Sequence, residues 1–230
     1  KMGLDQLRIQ YASVSDAQKN LMTEKDKKQQ KKDIEESSNP IAARLMLTLG
    51  YIQELQSTLD IQELMTGSLD AVLKVTGLDR AYAFLLEPTE SGELDLKEMG
   101  ARKPGGEDLV EEDYTISQTM LMKVIEGNGA VVVEDADEVS ADNTNSMRDF
   151  KIKTVVCLPL TYFDETTNEA NLLGVIYADK LFSKTKLPSH CRSTLQLMSQ
   201  LISKSINSIR HFQEVQSMAA TYENYLKELA

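Results

Sequence analysis

Histidine, cysteine and basic residues are all scarce in this chain, and each shortage removes a class of chemistry. Two cysteines, Cys157 and Cys191, in 230 residues cannot build a disulfide framework, and they leave a structural zinc site short of ligands. Lys and Arg number 25 against 36 Asp and Glu, a net charge of −11 and a pI near 4.8. That balance argues against a nucleic-acid surface, which needs clustered basic residues. No apolar run approaches the ~20 residues of a bilayer span, so no membrane insertion is expected in this segment. A secretory h-region is missing too. The chain begins Lys-Met and ends inside a helical pattern at Leu229-Ala230, which reads as an internal piece of a longer, cytoplasmic protein. What is present is a 41% hydrophobic content, enough to exclude wholesale disorder.

The charge is unevenly placed. Residues 87–138 carry fifteen acids against four bases, which reads as a solvated acidic face. Within it, Asp135-Ala-Asp137-Glu138 lacks the glycine and ligand spacing of a calcium loop. Residues 1–37 place Leu4, Leu7, Tyr11, Val14 and Leu21 on a 3–4 spacing, one apolar stripe of a helical linker that fades toward Lys25–Lys32. Asn39-Pro40 should cap a new helix carrying Ile41, Leu45, Thr48, Ile52, Leu55 and Leu59. Asp60 and Glu63 have the spacing of a capping box, opening a helix to Gly77 with Ile61, Leu64, Met65, Val72 and Val75 inward.

From Asp79 the period shortens. Arg80-Ala-Tyr-Ala-Phe-Leu-Leu86, closed by Pro88, reads as a buried strand. Glu93-Leu-Asp-Leu-Lys-Glu-Met99 alternates as a strand wet on one face. A loop at 103–107 and a short helix after Ser117, with Met120, Leu121, Val124 and Ile125 apolar, lead to strands at 130–134, 154–163 and 172–178. The last two, joined by the polar stretch 164–171, suit an antiparallel pair. Beyond Pro188 no proline or glycine interrupts a helical pattern with Leu195, Met198, Ile202, Ile209, Phe212, Ala219 and Leu226 at 3–4 or seven-residue steps. Ser205, Gln216 and Glu223 break that seam, so it reads as a loose coiled coil. A strand-rich middle framed by helices gives an α+β plan.

Several of these strings, in this order, resemble one family. Leu59-Asp60-Ile-Gln-Glu-Leu64, Thr76-Gly-Leu-Asp-Arg-Ala81, Ile116-Ser117 with the following helix, Phe150-Lys-Ile-Lys-Thr-Val-Val-Cys-Leu-Pro-Leu160 and Leu173-Gly-Val-Ile-Tyr-Ala-Asp179 are similar to segments of GAF domains, the small-molecule sensor modules of signalling proteins. The resemblance covers about residues 45–212. It implies a three-layer α/β/α fold with a six-stranded antiparallel sheet: a helical linker at 1–37, the GAF domain at 40–212, and a signalling helix at 213–230 leading to an output domain. The stretch from Phe212 resembles the connector to a bacterial adenylate or guanylate cyclase. A homodimer through the flanking helices is implied, with Ile41, Leu45, Ile52, Leu195, Met198, Ile202, Ile209 and Phe212 at the interface.

The resemblance also places a ligand pocket over the sheet face covered by the helix after Ser117 and by residues 142–150. Its candidate lining is Tyr82, Phe84, Ile116, Ser117, Met120, Ser146, Phe150, Cys157 and Tyr177, with cAMP or cGMP as the candidate regulatory ligand. The aromatics among them, with Tyr114 and Tyr162, serve equally well as core. The first N–H groups of the Ser117 helix could meet a phosphate, or Ser117 could simply cap its own helix. Cyclic-nucleotide-binding relatives carry an Asn-Lys…Phe…Asp-Glu signature; here Asp179-Lys-Leu-Phe182 stands in that place and no Asp-Glu follows. Relatives that attach a bilin do so at a Cys-His pair near the pocket helix, which is lacking here. His190-Cys191 at a helix start and His211 on a long helix offer no activated nucleophile, so no catalytic residue, metal or certain cofactor is expected in this segment. A ligand-free GAF-like dimerisation scaffold is the alternative reading.

Overall fold

The computed structural model describes residues 58–89, 94–110, 115–127, 129–136, 150–164, 168–188 and 191–228, together with Gly50 and Met147. The expected helix over 1–37 lies outside these residues, as does the one from Pro40 to Leu59 apart from Gly50, Thr58 and Leu59, and with them Ile41, Leu45 and Ile52; Leu59 is described, non-helical and exposed.

Helix α1 (Ile61–Thr76) begins where expected. Asp60 takes N–H donations from Gln62 and Glu63 at 2.7 and 3.2 Å, and Gly77 closes the helix in the left-handed conformation, donating to the Leu73 carbonyl. The return arm of the capping box is replaced: the Glu63 carboxylate accepts from the Thr58 hydroxyl, whose oxygen accepts the Asp60 N–H. Strands β1 (Arg80–Pro88), β2 (Leu94–Lys103) and β3 (Glu107–Asp108) follow, then helix α2 (Gln118–Gly127), β4 (Val131–Val133), β5 (Ile152–Asp164), β6 (Glu169–Leu181) and helix α3 (Cys191–Glu228). The strands form one six-stranded sheet in the order β3-β2-β1-β6-β5-β4, every neighbouring pair antiparallel. The α+β reading and the antiparallel β5–β6 pair are as the pattern predicts. The turn between them is shorter than expected, because pairing runs on to Asp164↔Glu169. On β2 the alternation breaks at a bulge, where Ala83↔Gly100 is followed by Phe84↔Glu98. The extra residue leaves Met99 and Ala101 buried and Leu94 exposed.

Central strand β6 runs very close to β1. A Cβ on Gly174 would stand 2.2 Å from the Phe84 carbonyl oxygen, so only glycine permits this register.

Each sheet face has its own core. On one face α1 and the first half of α3 cover Ala81, Ala83, Leu85, Val156, Leu158, Leu160, Ile176 and Ala178. On the other, α2 lies over Tyr82, Phe84, Val155, Cys157, Val175 and Tyr177. Consecutive residues of β1, β5 and β6 thus divide between the two cores, as the two-residue period of a strand requires.

Helix α3 is 38 residues long, about 57 Å at 1.5 Å per residue. Leu195, Met198, Ile202, Ile206 and Ile209 are buried against the sheet and α1, and Arg210 donates to the Leu86 carbonyl. This corrects the expected interface assignment. Leu195, Met198, Ile202 and Ile209 pack inside their own chain, so they are not free to meet a second one. Beyond them Val215, Met218, Tyr222, Tyr225 and Leu226 are exposed.

Candidate functional site

Among the described residues, the face under α2 holds the most deeply buried charges. Arg80, at the start of β1, is paired in register with Asp179 on β6. Its Nε donates to Oδ1 at 2.8 Å and its Nη2 to Oδ2 at 2.7 Å, a two-pronged ion pair. The guanidinium also donates from Nη1 to the Thr115 hydroxyl and from Nη2 to the Thr115 carbonyl, both at 2.9 Å. It lies 5.7 Å over the Tyr82 ring. Tyr82 and Tyr177 meet edge to face at 5.9 Å. The Tyr177 hydroxyl donates to Asp179 and accepts the Ser117 N–H at 3.1 Å. A continuous polar chain therefore joins β1 and β6 to the segment 115–117 that launches α2.

Burial sets the electrostatics. It pushes the Tyr177 phenol well above its ordinary value, with the Asp179 charge adding to the rise. It also pushes the Asp179 carboxyl up, while Arg80 and Tyr177 pull it back. One residue away, just before β1 and next along β6, the charges are exchanged, Lys180 Nζ standing 3.3 Å from Asp79 Oδ1. Where cyclic-nucleotide-binding relatives have Asn-Lys, this chain has crossed pairs, Arg80 with Asp179 and Asp79 with Lys180.

The structure brings most of the expected pocket residues together. Tyr82, Phe84, Met120, Cys157 and Tyr177 are buried in one packed cluster, with Ile116 half-buried against it. Ser117 is buried beside Tyr177, and its N–H is bonded to that hydroxyl, so it is not open to a phosphate. Phe150 is placed apart, 41% exposed. Ser146 and Tyr114 lie outside the described residues. Arg80 and Thr115 were missed by sequence reading. Their signal was a charge opening an apolar strand, matched by a second, Asp179, closing another. Both cysteines are buried, Cys157 within this cluster, where burial pushes its thiol well up. Among the described residues no group of His, Cys, Asp and Glu could hold a metal ion.

The model of the GAF domain family matches residues 60–206, more than half of the chain. The chain belongs to the GAF family. Its fold is similar to that of the GAF domain of the cyanobacteriochrome TePixJ, at 10% identity and a TM-score of 0.51, covering 68% of this chain and 95% of that one. A methyl-accepting chemotaxis protein fragment, residues 122 to 287, gives 17% identity, a TM-score of 0.50 and coverages of 70% and 98%. The photosensory core of a Stigmatella aurantiaca phytochrome gives 12% and 0.58, with this GAF chain covering 80% of itself but only 41% of that larger protein. At such identities the likeness is one of fold. No curated protein is detectably similar in sequence.

Proposed function

We propose that this GAF domain is a regulatory sensor module: a small ligand engages the α2 face, and its occupancy is relayed through α3 to a covalently linked output domain. The observation that carries this reading is the buried chain Arg80–Asp179–Tyr177–Ser117. It couples the segment that launches α2 to β6, and β6 is the strand that feeds α3. A ligand that displaces α2 must disturb that chain, and so has a physical means of favouring one state over another. The ligand class is a cyclic nucleotide, cAMP or cGMP, or a metabolite of similar size, and the output is a bacterial nucleotide cyclase. The segment itself performs no catalysis and works in the cytoplasm as a homodimer. Among the described residues no helix is long and apolar enough to cross a membrane. The chemotaxis and photoreceptor proteins of similar fold support a sensory role by analogy only.

Isothermal titration with cAMP, cGMP and a metabolite panel tests the ligand. Saturable binding accompanied by a raised unfolding midpoint is the expected outcome. A second reading, a ligand-free dimerisation scaffold, is favoured by the close packing of Tyr82, Phe84, Met120, Cys157 and Tyr177 under α2. Flat titrations across the panel with a dimer in solution would select it.

A further inference from the structure

The strand that feeds α3 is poorly suited to move. β6 runs 13 residues and is paired on both sides, with β1 and with β5, so shifting it breaks two ladders at once. β4 is its opposite, three residues at the edge of the sheet, paired with β5. It also follows α2 closely in sequence, with three residues between Gly127 and Val131.

A buried side chain joins the end of β4 to the connector that starts α3. Thr154, on β5, is 0% exposed. Its hydroxyl donates to the Glu134 carbonyl at 3.1 Å and accepts the Thr185 N–H at 3.0 Å. A bulge sets its direction. Ile152 pairs with Leu181 and Thr154 with Lys180, so Lys153 is an extra residue on β5. Ile152 and Val155 therefore share the α2-side core, and Thr154 turns with Val156 toward the α3 side. One residue further on each segment, the Lys184 ammonium pairs with the Asp135 carboxylate.

Packing across this seam is incomplete. A cavity of about 80 Å³ is lined by Val132 and Glu134 from the β4 side and by Leu187, Pro188, Arg192 and Leu195 from the connector and α3. A close-packed core resists small displacements. A seam held by hydrogen bonds beside a void can part and re-form, which is what an element with two arrangements requires.

We infer, on the proposed relay from α2 to α3, that its moving part is this Thr154 seam. A displaced α2 carries β4 with it, the Glu134–Thr154–Thr185 bonds part, and the first turns of α3 are released. β6, locked between two neighbours, is the frame against which β4 shifts. Thr154 is a positioning residue, acting through the two backbone segments it holds.

Hydrogen exchange of the full chain, read by mass spectrometry without ligand, tests the joint, because mutation can loosen α2 in a ligand's place. Val124→Ala opens a void under α2 and lies outside the polar chain on β6. Ile125→Ala, half-buried on the same helix, replaces it if Val124→Ala does not fold. Either should quicken exchange over 118–127, and also at Thr185 and over Cys191–Met198 by about threefold or more. Thr154→Val keeps the side chain's shape and deletes both bonds. Exchange at Thr185 and Cys191–Met198 should then already be about fivefold faster, and adding Val124→Ala should raise it no further. Thr154→Ser keeps the hydroxyl and should transmit the loosening as wild type does. Exchange that quickens over 118–127 but not at Thr185 and Cys191–Met198 overturns the inference, and this result needs no Thr154 variant. Transmission undiminished by Thr154→Val overturns it equally. Both results are reached without ligand, so they stand apart from the titrations that test the sensor reading.

Discussion

Gly174 shows how one missing carbon can hold a sheet together. Its neighbour across the strand is backbone, which cannot step aside as a flexible side chain would. Gly174→Ala should therefore part β1 from β6 and cost about 3 kcal/mol or more, on the scale of severe overpacking; a urea midpoint within error of wild type would refute this. Removing half of the buried ion pair is comparably harmful. Asp179→Ala leaves the Arg80 guanidinium charged in the core, an expected loss of about 3–5 kcal/mol. Arg80→Met combined with Asp179→Leu should recover most of it, and a double mutant no more stable than Asp179→Ala would contradict that account. The thiols obey the same logic. Burial raises the Cys157 pKa, and the thiolate is the reactive form, so Ellman's reagent should label neither cysteine in the native state and both after unfolding.

The elements differ in how openly the sequence declares them. Both ends of α1 were legible because caps are local: Asp60 and Gly77 act on residues two to four positions away. The β5–β6 hairpin was legible because an apolar run, a polar turn and a second run suffice. The β2 bulge was not, since nothing local marks Met99 as the residue that is skipped. Nor could alternation say which face of the sheet Tyr82 or Tyr177 would occupy; that depends on helices far away in sequence. The Arg80–Asp179 pair spans 99 residues and leaves only two isolated charges as its trace. For α2 the pair's extension predicts a specific behaviour. Tyr177→Phe deletes the acceptor of the Ser117 N–H and the donor to Asp179. A stability loss of about 1–3 kcal/mol is expected, with faster hydrogen exchange concentrated in 115–127. Uniform acceleration across the sheet would instead indicate general loosening.

At the scale of the molecule, α3 is two helices in one. Periodicity announced that Leu195, Met198, Ile202 and Ile209 are covered, but a covered face does not name its cover, and the cover is the chain's own sheet. Past Ile209 the apolar positions with 3–4 spacing are Phe212, Val215, Ala219, Tyr222 and Leu226. By taking in Val215 and Tyr222 this stripe runs beside Gln216 and Glu223, the residues that break the seven-residue seam through Phe212, Ala219 and Leu226. If the proposed homodimer pairs through this half, Val215→Glu with Tyr222→Glu should give a monomer by light scattering. The unfolding midpoint of the sheet domain should stay unchanged, because these side chains are 49% and 66% exposed within the chain. A dimer that survives both charges would place the contact elsewhere.

The uninterrupted course of α3 also makes its residue count a setting of angle. Each residue turns the helix by about 100°, so one residue deleted between Ile209 and Phe212 would swing everything downstream to another compass bearing. Seven deleted would return it to within about 20° while bringing it roughly 10 Å nearer. Whatever rides on the far end of such a shaft is timed like a cam. Trimming in sevens should leave its action in step, and trimming in threes or fours should drift it progressively out.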